Sequence, residues 1–158
     1  MTTVQPHRTA DEVIARVVHY RNVCALPART DGRMITARVG EVGAVMLPID
    51  VGHPLHIRLR QLLASCPVMS HADKMLTFLT HGGFGSDPSG KALLAGQGGR
   101  LVEDGHQISL PSPITETTGN LRWAEPPVDA FRPRTDTVLE ILAFQTNPNR
   151  MRYERRLI

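Results

Sequence analysis

The stretch Val42-Gly43-Ala44-Val45-Met46-Leu47, closed by Gly40 on one side and Pro48 on the other, sets the strictest condition on how this chain folds. An apolar run of strand length, without polar alternation, suits a strand buried on both faces. It predicts a central strand with a packed layer on each side. A single domain can meet that demand, because a chain of 158 residues hides roughly 70% of its unfolded surface in one core. At 41% hydrophobic and 21% charged residues, the chain is also too apolar to stay disordered.

Helical spacing supplies candidates for the flanking layers. Thr9-Ala10-Asp11-Glu12 has the form of a capping box, and Val13, Ile14, Val17 and Val18 follow at helical intervals, predicting a helix from about Ala10 to Arg21. After Gly52, Pro54 suits a first helical turn. Leu55, Leu59, Leu62 and Leu63 then form one stripe with Arg58 and Arg60 off it, predicting a helix over about 54–64. A short helix is expected at Ser89–Ala95. Val138, Leu139, Leu142 and Ala143 predict another over Asp136–Gln145, stopped by Asn147-Pro148-Asn149.

Strand signals fall between these helices. Val23–Leu26, ended by Pro27, and Met34–Val39 flank the turn residues Thr30-Asp31-Gly32-Arg33 and predict a hairpin. Pro67–Met69 and Met75–Thr80 flank the polar turn His71-Ala72-Asp73. Leu101-Val102 and Gln107–Leu110 flank Asp104-Gly105, a two-residue hairpin signal ended by Pro111-Ser112-Pro113. Thr115–Asn120 reads as a polar loop, Leu121–Ala124 as a short strand and Glu125–Pro133 as a proline-rich connector. Helix, strands, helix, strands, helix, without repeats, predicts one α+β domain over residues 1–149 with a mixed or antiparallel sheet, followed by a basic tail over 150–158.

Charge and cysteine usage narrow the function classes. The formal charge of +3 arises in the last nine residues, where Arg150, Arg152, Arg155 and Arg156 outweigh Glu154; residues 1–149 carry 14 basic and 14 acidic side chains. The pI near 9.3 therefore describes the tail and implies no broad nucleic-acid-binding face on the domain. Arginine outnumbers lysine 16 to 2, as GC-rich coding produces. Cys24 and Cys66 are too few for a disulfide framework and lack zinc-ribbon spacing. No apolar export signal opens the chain, and no run approaches the ~20 apolar residues of a membrane span. The expectation is a cytoplasmic protein without a membrane partner.

No complete catalytic constellation is legible, and each candidate for chemistry stands beside a plainer reading. Gly85-Ser86-Asp87-Pro88-Ser89-Gly90-Lys91 has the GxxxxGK spacing of a phosphate loop, in which Gly85, Gly90 and Lys91 would matter. Ala92 replaces the hydroxyl that magnesium needs and Pro88 stiffens the loop, so the plainer reading is a surface loop. Asp50, His53 and His56 offer a carboxylate and two imidazoles for magnesium or manganese, or are simply exposed residues at a helix start. Cys66, His71 and Asp73 suggest a thiol with its base, although a buried structural cysteine is commoner. Hydroxyls at 115–118 with Arg122 and Trp123 suit a phosphate and a stacked base, or a loop beside a core tryptophan. Arg150, Arg152, Arg155 and Arg156 with Tyr153 suit phosphate contacts, or a solvated terminus.

One longer pattern resembles a known family. Gly105-His106-Gln107-Ile108-Ser109-Leu110-Pro111-Ser112, with Trp123 in Gly119-Asn120-Leu121-Arg122-Trp123 eleven residues on, resembles the closing segment of bifunctional primase-polymerase domains. There a glycine-led strand ends in a Pro-Ser pair and a Gly-x-x-x-Trp follows. Val42–Asp50 is similar to the family's acidic strand and Met75–Phe78 to its histidine-bearing strand, so the resemblance spans about residues 40–145. It implies a sheet similar to the RNA-recognition-like core of archaeo-eukaryotic primases, with helices mainly on one face.

The departures from the pattern bear on activity. The family's Asp-x-Asp stands here as Pro48-Ile49-Asp50, and one carboxylate cannot hold a catalytic metal pair. Met75 stands where the family places a nucleotide-contacting histidine. The resemblance thus implies a degenerate, non-polymerising relative, similar to short primase-polymerase-like proteins of actinobacteria. Its expected function is binding or regulation without a cofactor. Ser112, Thr118, Arg122 and Trp123 would line a nucleotide or nucleic-acid groove, and the arginine tail would add phosphate contacts. Two other classes stay open. One is a metal-dependent nucleotidyl transferase or nucleotide hydrolase built on Asp50 with His53 or His56, or on the Gly85–Lys91 loop. The other is a structural domain that pairs with a protein partner through a strand edge.

Overall fold

The computed structural model describes residues 6–62, 66–82 and 88–147. In chain order these form α1 (Pro6–Asn22), β1 (Ala28–Thr30), β2 (Ile35–Arg38), β3 (Val42–Pro48), α2 (Ile49–Leu62), β4 (Val68–His71), β5 (Met75–His81), α3 (Pro88–Gly96), β6 (Arg100–Leu101), β7 (Gln107–Leu110), α4 (Pro113–Thr118), β8 (Leu121–Glu125) and α5 (Thr135–Thr146). The strands make two sheets, ordered β6-β3-β5-β4-β8 and β1-β2-β7, and their ladders are all antiparallel.

β3 lies inside the larger sheet and is buried on both sides, as its composition requires. It pairs with β5 along its whole length, from Val42↔His81 to Pro48↔Met75, and with β6 through Val45↔Leu101 and Met46↔Arg100. Because side chains alternate along a strand, Val45 and Leu47 enter one core and Val42 and Ala44 the other. The first core is closed by Leu55 and Leu59 of α2, Leu94 of α3, and Val138 and Leu142 of α5, packed on Val68, Leu76 and Phe78. The second is closed by Val13, Val17 and Tyr20 of α1 together with Ala28, Ile35, Ala37 and Leu110 of the smaller sheet. Three helices therefore cover one face of the large sheet, and α1 with the small sheet covers part of the other.

The segment β3-α2-β4-β5-α3-β6 is continuous in sequence, and in space its strands lie fourth, first, third, second. Flanking segments build the rest. β2 pairs with β7 through Ile35↔Leu110 and Arg38↔Gln107, and β8 extends the large sheet beside β4.

Several local expectations are corrected. α1 begins at Pro6, so Thr9 sits within the helix rather than capping it; a first-turn proline has no intrahelical partner to lose. Its buried stripe is Val13, Val17 and Tyr20, whereas Ile14 and Val18 are 56% and 49% exposed, since neighbouring positions on a helix diverge by about 100°. α2 begins at Ile49 and carries Pro54 inside it, where the ring has no N–H for the Asp50 carbonyl. Val23–Leu26 forms no strand; β1 starts after Pro27. Asp104-Gly105 makes no hairpin, because β6 belongs to the large sheet and β7 to the small one. Gly105, at φ +88, instead turns the chain across the seam, its N–H donating to the Val39 carbonyl. Thr115–Asn120 is mostly the helix α4, not a loop. No described helix is long and apolar enough to cross a membrane.

Gly43 marks a close approach in the centre of the large sheet. A Cβ there would lie 2.3 Å from Thr80 Oγ1 and 2.9 Å from Thr135 Oγ1. Those hydroxyls are 2.7 Å apart, and Thr135 donates to the Gly82 carbonyl, tying the start of α5 to the end of β5. Gly43→Ala is expected to cost about 1–3 kcal/mol by overpacking, while Gly40→Ala, with nothing within 4 Å of its Cβ, should be close to neutral. Paired urea denaturation curves check this.

Candidate functional site

The face of the large sheet that carries α1 is not covered along its whole length. Beyond the second core it becomes the floor of an open cleft of about 800 Å3, walled by β7, α4 and the β6–β7 connection. Strand register explains the floor. Met69 pairs with Thr77, Thr77 with Met46, and Met46 with Arg100, so these four residues form one row across β4, β5, β3 and β6, and all line the cleft. His71, two positions along β4 from Met69, shares this face.

Of the polar residues that line the cleft, His71, Thr77, Thr115 and Thr118 have side-chain partners within the fold, whereas Arg100, His106, Gln107, Ser109 and Asn120 are exposed. His71 Nε2 lies 2.7 Å from Thr77 Oγ1, a hydroxyl buried between strands. Burial pushes the His71 pKa below its ordinary value, and nearby Asp73 only partly opposes this. The ring is therefore neutral near pH 7. Arg100 stands exposed at one end of the row. Glu103 is the single carboxylate among the described lining residues, and its Oε1 lies 3.9 Å from Lys91 Nζ of α3. Thr118 and Asn120 close the opposite wall.

The residues expected to form a nucleotide groove are not gathered there. Of the four, only Thr118 lines the cleft, with its hydroxyl donating to the Thr115 carbonyl at 3.1 Å. Ser112 is fully buried as the N-cap of α4: its hydroxyl accepts from Thr115 N–H, and its own N–H donates to Thr115 Oγ1 at 2.8 Å. Trp123 is half-buried, donating its indole N–H to Tyr20 OH at 2.9 Å and packing edge-on against that ring. Arg122 is exposed on β8 with its guanidinium beside Gly119. Arg150, Arg152, Arg155 and Arg156 lie outside the described residues, as does Gly85.

No protein-family model, curated protein or solved structure matches this chain. What the remaining candidates can do therefore rests on their geometry.

The metal set does not assemble. Asp50 and His53 are exposed on α2, whereas His56 turns inward, its Nε2 3.5 Å from Glu125 Oε1, which also faces Arg60 Nε at 3.3 Å. Among the described residues, no three His, Cys, Asp or Glu side chains converge to hold a metal ion. Asp50 and His53 stay at the surface one turn apart while His56 is drawn into the packing beside Glu125, a difference in burial that sequence spacing alone did not reveal. Gly90 is buried and Lys91 exposed within α3. Cys66 is buried with its thiol pushed up to about 12 by desolvation, and its Sγ faces the Pro67 and Leu79 carbonyls rather than His71. It is a structural thiol, not a nucleophile.

Sequence reasoning missed Met46, Met69, Thr77 and Arg100 as neighbours. Alternation in Met69-Ser70-His71 and Met75-Leu76-Thr77 places His71 and Thr77 on one face if the two strands pair, but the row itself depends on registers fixed by the turn at Lys74, whose φ is +66.

Two outcomes follow from this chemistry. Tyr20 OH donates to the Pro111 carbonyl at 2.6 Å while accepting from Trp123. Tyr20→Phe orphans the buried Pro111 carbonyl and the half-buried Trp123 indole N–H and should lower unfolding free energy by about 1–3 kcal/mol, read by urea denaturation followed through Trp123 fluorescence. For His71, a pKa lowered on folding means the unfolded chain binds the proton more readily. Its contribution to stability is complete above the ordinary value of 6.5 and is lost as pH falls through the lower folded value. Wild type should lose denaturation midpoint across that acid window, and His71→Gln should flatten the loss.

Proposed function

We propose that this protein is a non-catalytic binding protein of primase-polymerase-like type, with the cleft on the β3–β5 face as the place where a nucleotide or nucleic-acid segment is held. The connectivity β3-α2-β4-β5-α3-β6 with its fourth-first-third-second strand order supports an RNA-recognition-like core, since it is the split β-α-β arrangement of that class.

The observation that carries the reading is the pair Pro48↔Met75. These are the positions at which the resemblance puts a metal-binding aspartate and a nucleotide-contacting histidine. They stand directly opposite one another, on the same face of the sheet as Met46 and Thr77 and one alternation beyond them, next to the cleft but not among its lining residues. Neither side chain present here binds a hard metal ion. Glu103 alone cannot bridge two metal ions, so in-line nucleotidyl transfer lacks its clamp. The arrangement favours retention of the binding face without the chemistry. The alternative of a metal-dependent transferase or hydrolase loses support because Asp50, His53 and His56 do not converge.

Binding and turnover separate these readings. Nucleotides or short single-stranded oligonucleotides should bind saturably to the full chain, with no incorporation or hydrolysis in magnesium or manganese. Ser109 is exposed on the cleft wall, so Ser109→Trp should fill the cleft and weaken binding at least about tenfold without changing the melting temperature. Measured turnover, or undiminished binding by that variant, would overturn the proposal.

A further inference from the structure

Resting on that reading, we infer that the cleft takes one flat heteroaromatic ring bearing a single anionic group, the chemistry of a nucleoside monophosphate, and neither a polynucleotide nor a metal-bound triphosphate. The row Met69–Thr77–Met46–Arg100 supplies the geometry. Three strand spacings separate its ends, about 14 Å; Met69 and Thr77 lie buried beneath the floor, Met46 is partly exposed in the middle, and the Arg100 guanidinium stands exposed at the other end.

Charge decides against a polyanion. Arg100 is the one lysine or arginine among the described residues lining the cleft, and Glu103 offsets it formally, although Lys91 partly engages that carboxylate. Polynucleotide affinity is built from many neutralised phosphates, each needing a cation, and a triphosphate needs several cations or a metal held by carboxylates. Of the two lining histidines, His71 adds no positive charge near neutrality, because burial keeps it unprotonated and its Nε2 is taken up by Thr77, and His106 is a single solvent-exposed imidazole on the β6–β7 connection, not a row of cations. One guanidinium serves one phosphate, in the paired geometry that arginine favours.

Lining chemistry points to the ring. Among the described residues no Phe, Tyr or Trp lines the cleft, so these residues supply no stacking ladder on which successive bases of a strand could be laid. Met46, Ile108 and Leu121 instead give an apolar seat, with a polarisable sulfur that accommodates an aromatic edge or face. Gln107 and Asn120 carry amides able both to donate to and to accept from a base edge or sugar hydroxyl. A volume of about 800 Å3 falls in the range of small-molecule sites, roughly 300–1,000 Å3.

The test is calorimetric titration of the full chain with the four ribonucleosides, their monophosphates, their triphosphates with and without magnesium, and oligonucleotides of two to ten residues. At least one monophosphate should bind about tenfold or more tightly than its nucleoside, the gain of a charge-assisted contact. Arg100→Gln should reduce that ratio to less than about threefold while leaving nucleoside binding in place. Affinity should not rise with oligonucleotide length, nor should magnesium tighten triphosphate binding. Length-dependent, salt-sensitive oligonucleotide binding, or a magnesium-dependent preference for triphosphate, would overturn this inference while leaving a nucleotide- or nucleic-acid-binding function standing. Absence of binding by every probe would overturn both.

Discussion

The ladder between β3 and β5 is the constraint on which the other layers depend. It is the longest pairing among the described residues, and its two faces feed two separate cores. Val45 and Leu47 on one side demand the helices α2, α3 and α5; Val42 and Ala44 on the other demand α1 and the small sheet. A shift of one residue would exchange these sets, so burial on both sides fixes register as firmly as the hydrogen bonds do. Gly43 then lets two threonine hydroxyls meet beneath the ladder, which positions the start of α5.

Between the two halves, polar contacts are concentrated rather than spread. Tyr20 reaches from α1 to the end of β7 and to Trp123 on β8, and Arg16 reaches Glu116 of α4 at 2.8 Å. The buried hydroxyl matters more than the partly solvated ion pair, because an orphaned buried group loses its full hydration whereas a surface pair contributes little. These contacts hold the cleft wall against its floor while leaving Met46 partly exposed and Arg100 exposed.

Parts of the fold governed by local chemistry were legible in the sequence. Val42–Leu47 announced a doubly buried strand, Thr30–Arg33 a hairpin turn, and Val138 with Leu142 the inner face of α5. What failed depended on partners far along the chain. Asp104-Gly105 carries a hairpin's turn residues, yet the strands beside it find other partners, because β3 and β2 offer longer-range pairings. Ser112 and Thr115 have hydroxyls suited equally to a phosphate and to a helix cap, and only the start of α4 decides between them. Trp123 was ambiguous for the same reason until Tyr20 gave its indole a partner. The cleft row was invisible since Met69, Thr77, Met46 and Arg100 become neighbours only through three successive registers.

The sequence-continuous unit from β3 to β6 is inserted between two strands that pair with each other, and this has a consequence for synthesis. All ladders among β3, β4, β5 and β6 can close once residue 101 has emerged, whereas β2 must wait for β7, with Ile35 meeting Leu110 across 75 intervening steps of chain. Long-range pairing of this kind is slow to form. During translation the floor of the cleft can thus be completed before its wall, with only α1 and the first two strands of the smaller sheet yet made to cover Val42, Ala44 and Leu79. The half-made protein exposes a larger version of the same surface, and a chaperone would meet that apolar sheet before any ligand meets the finished cleft.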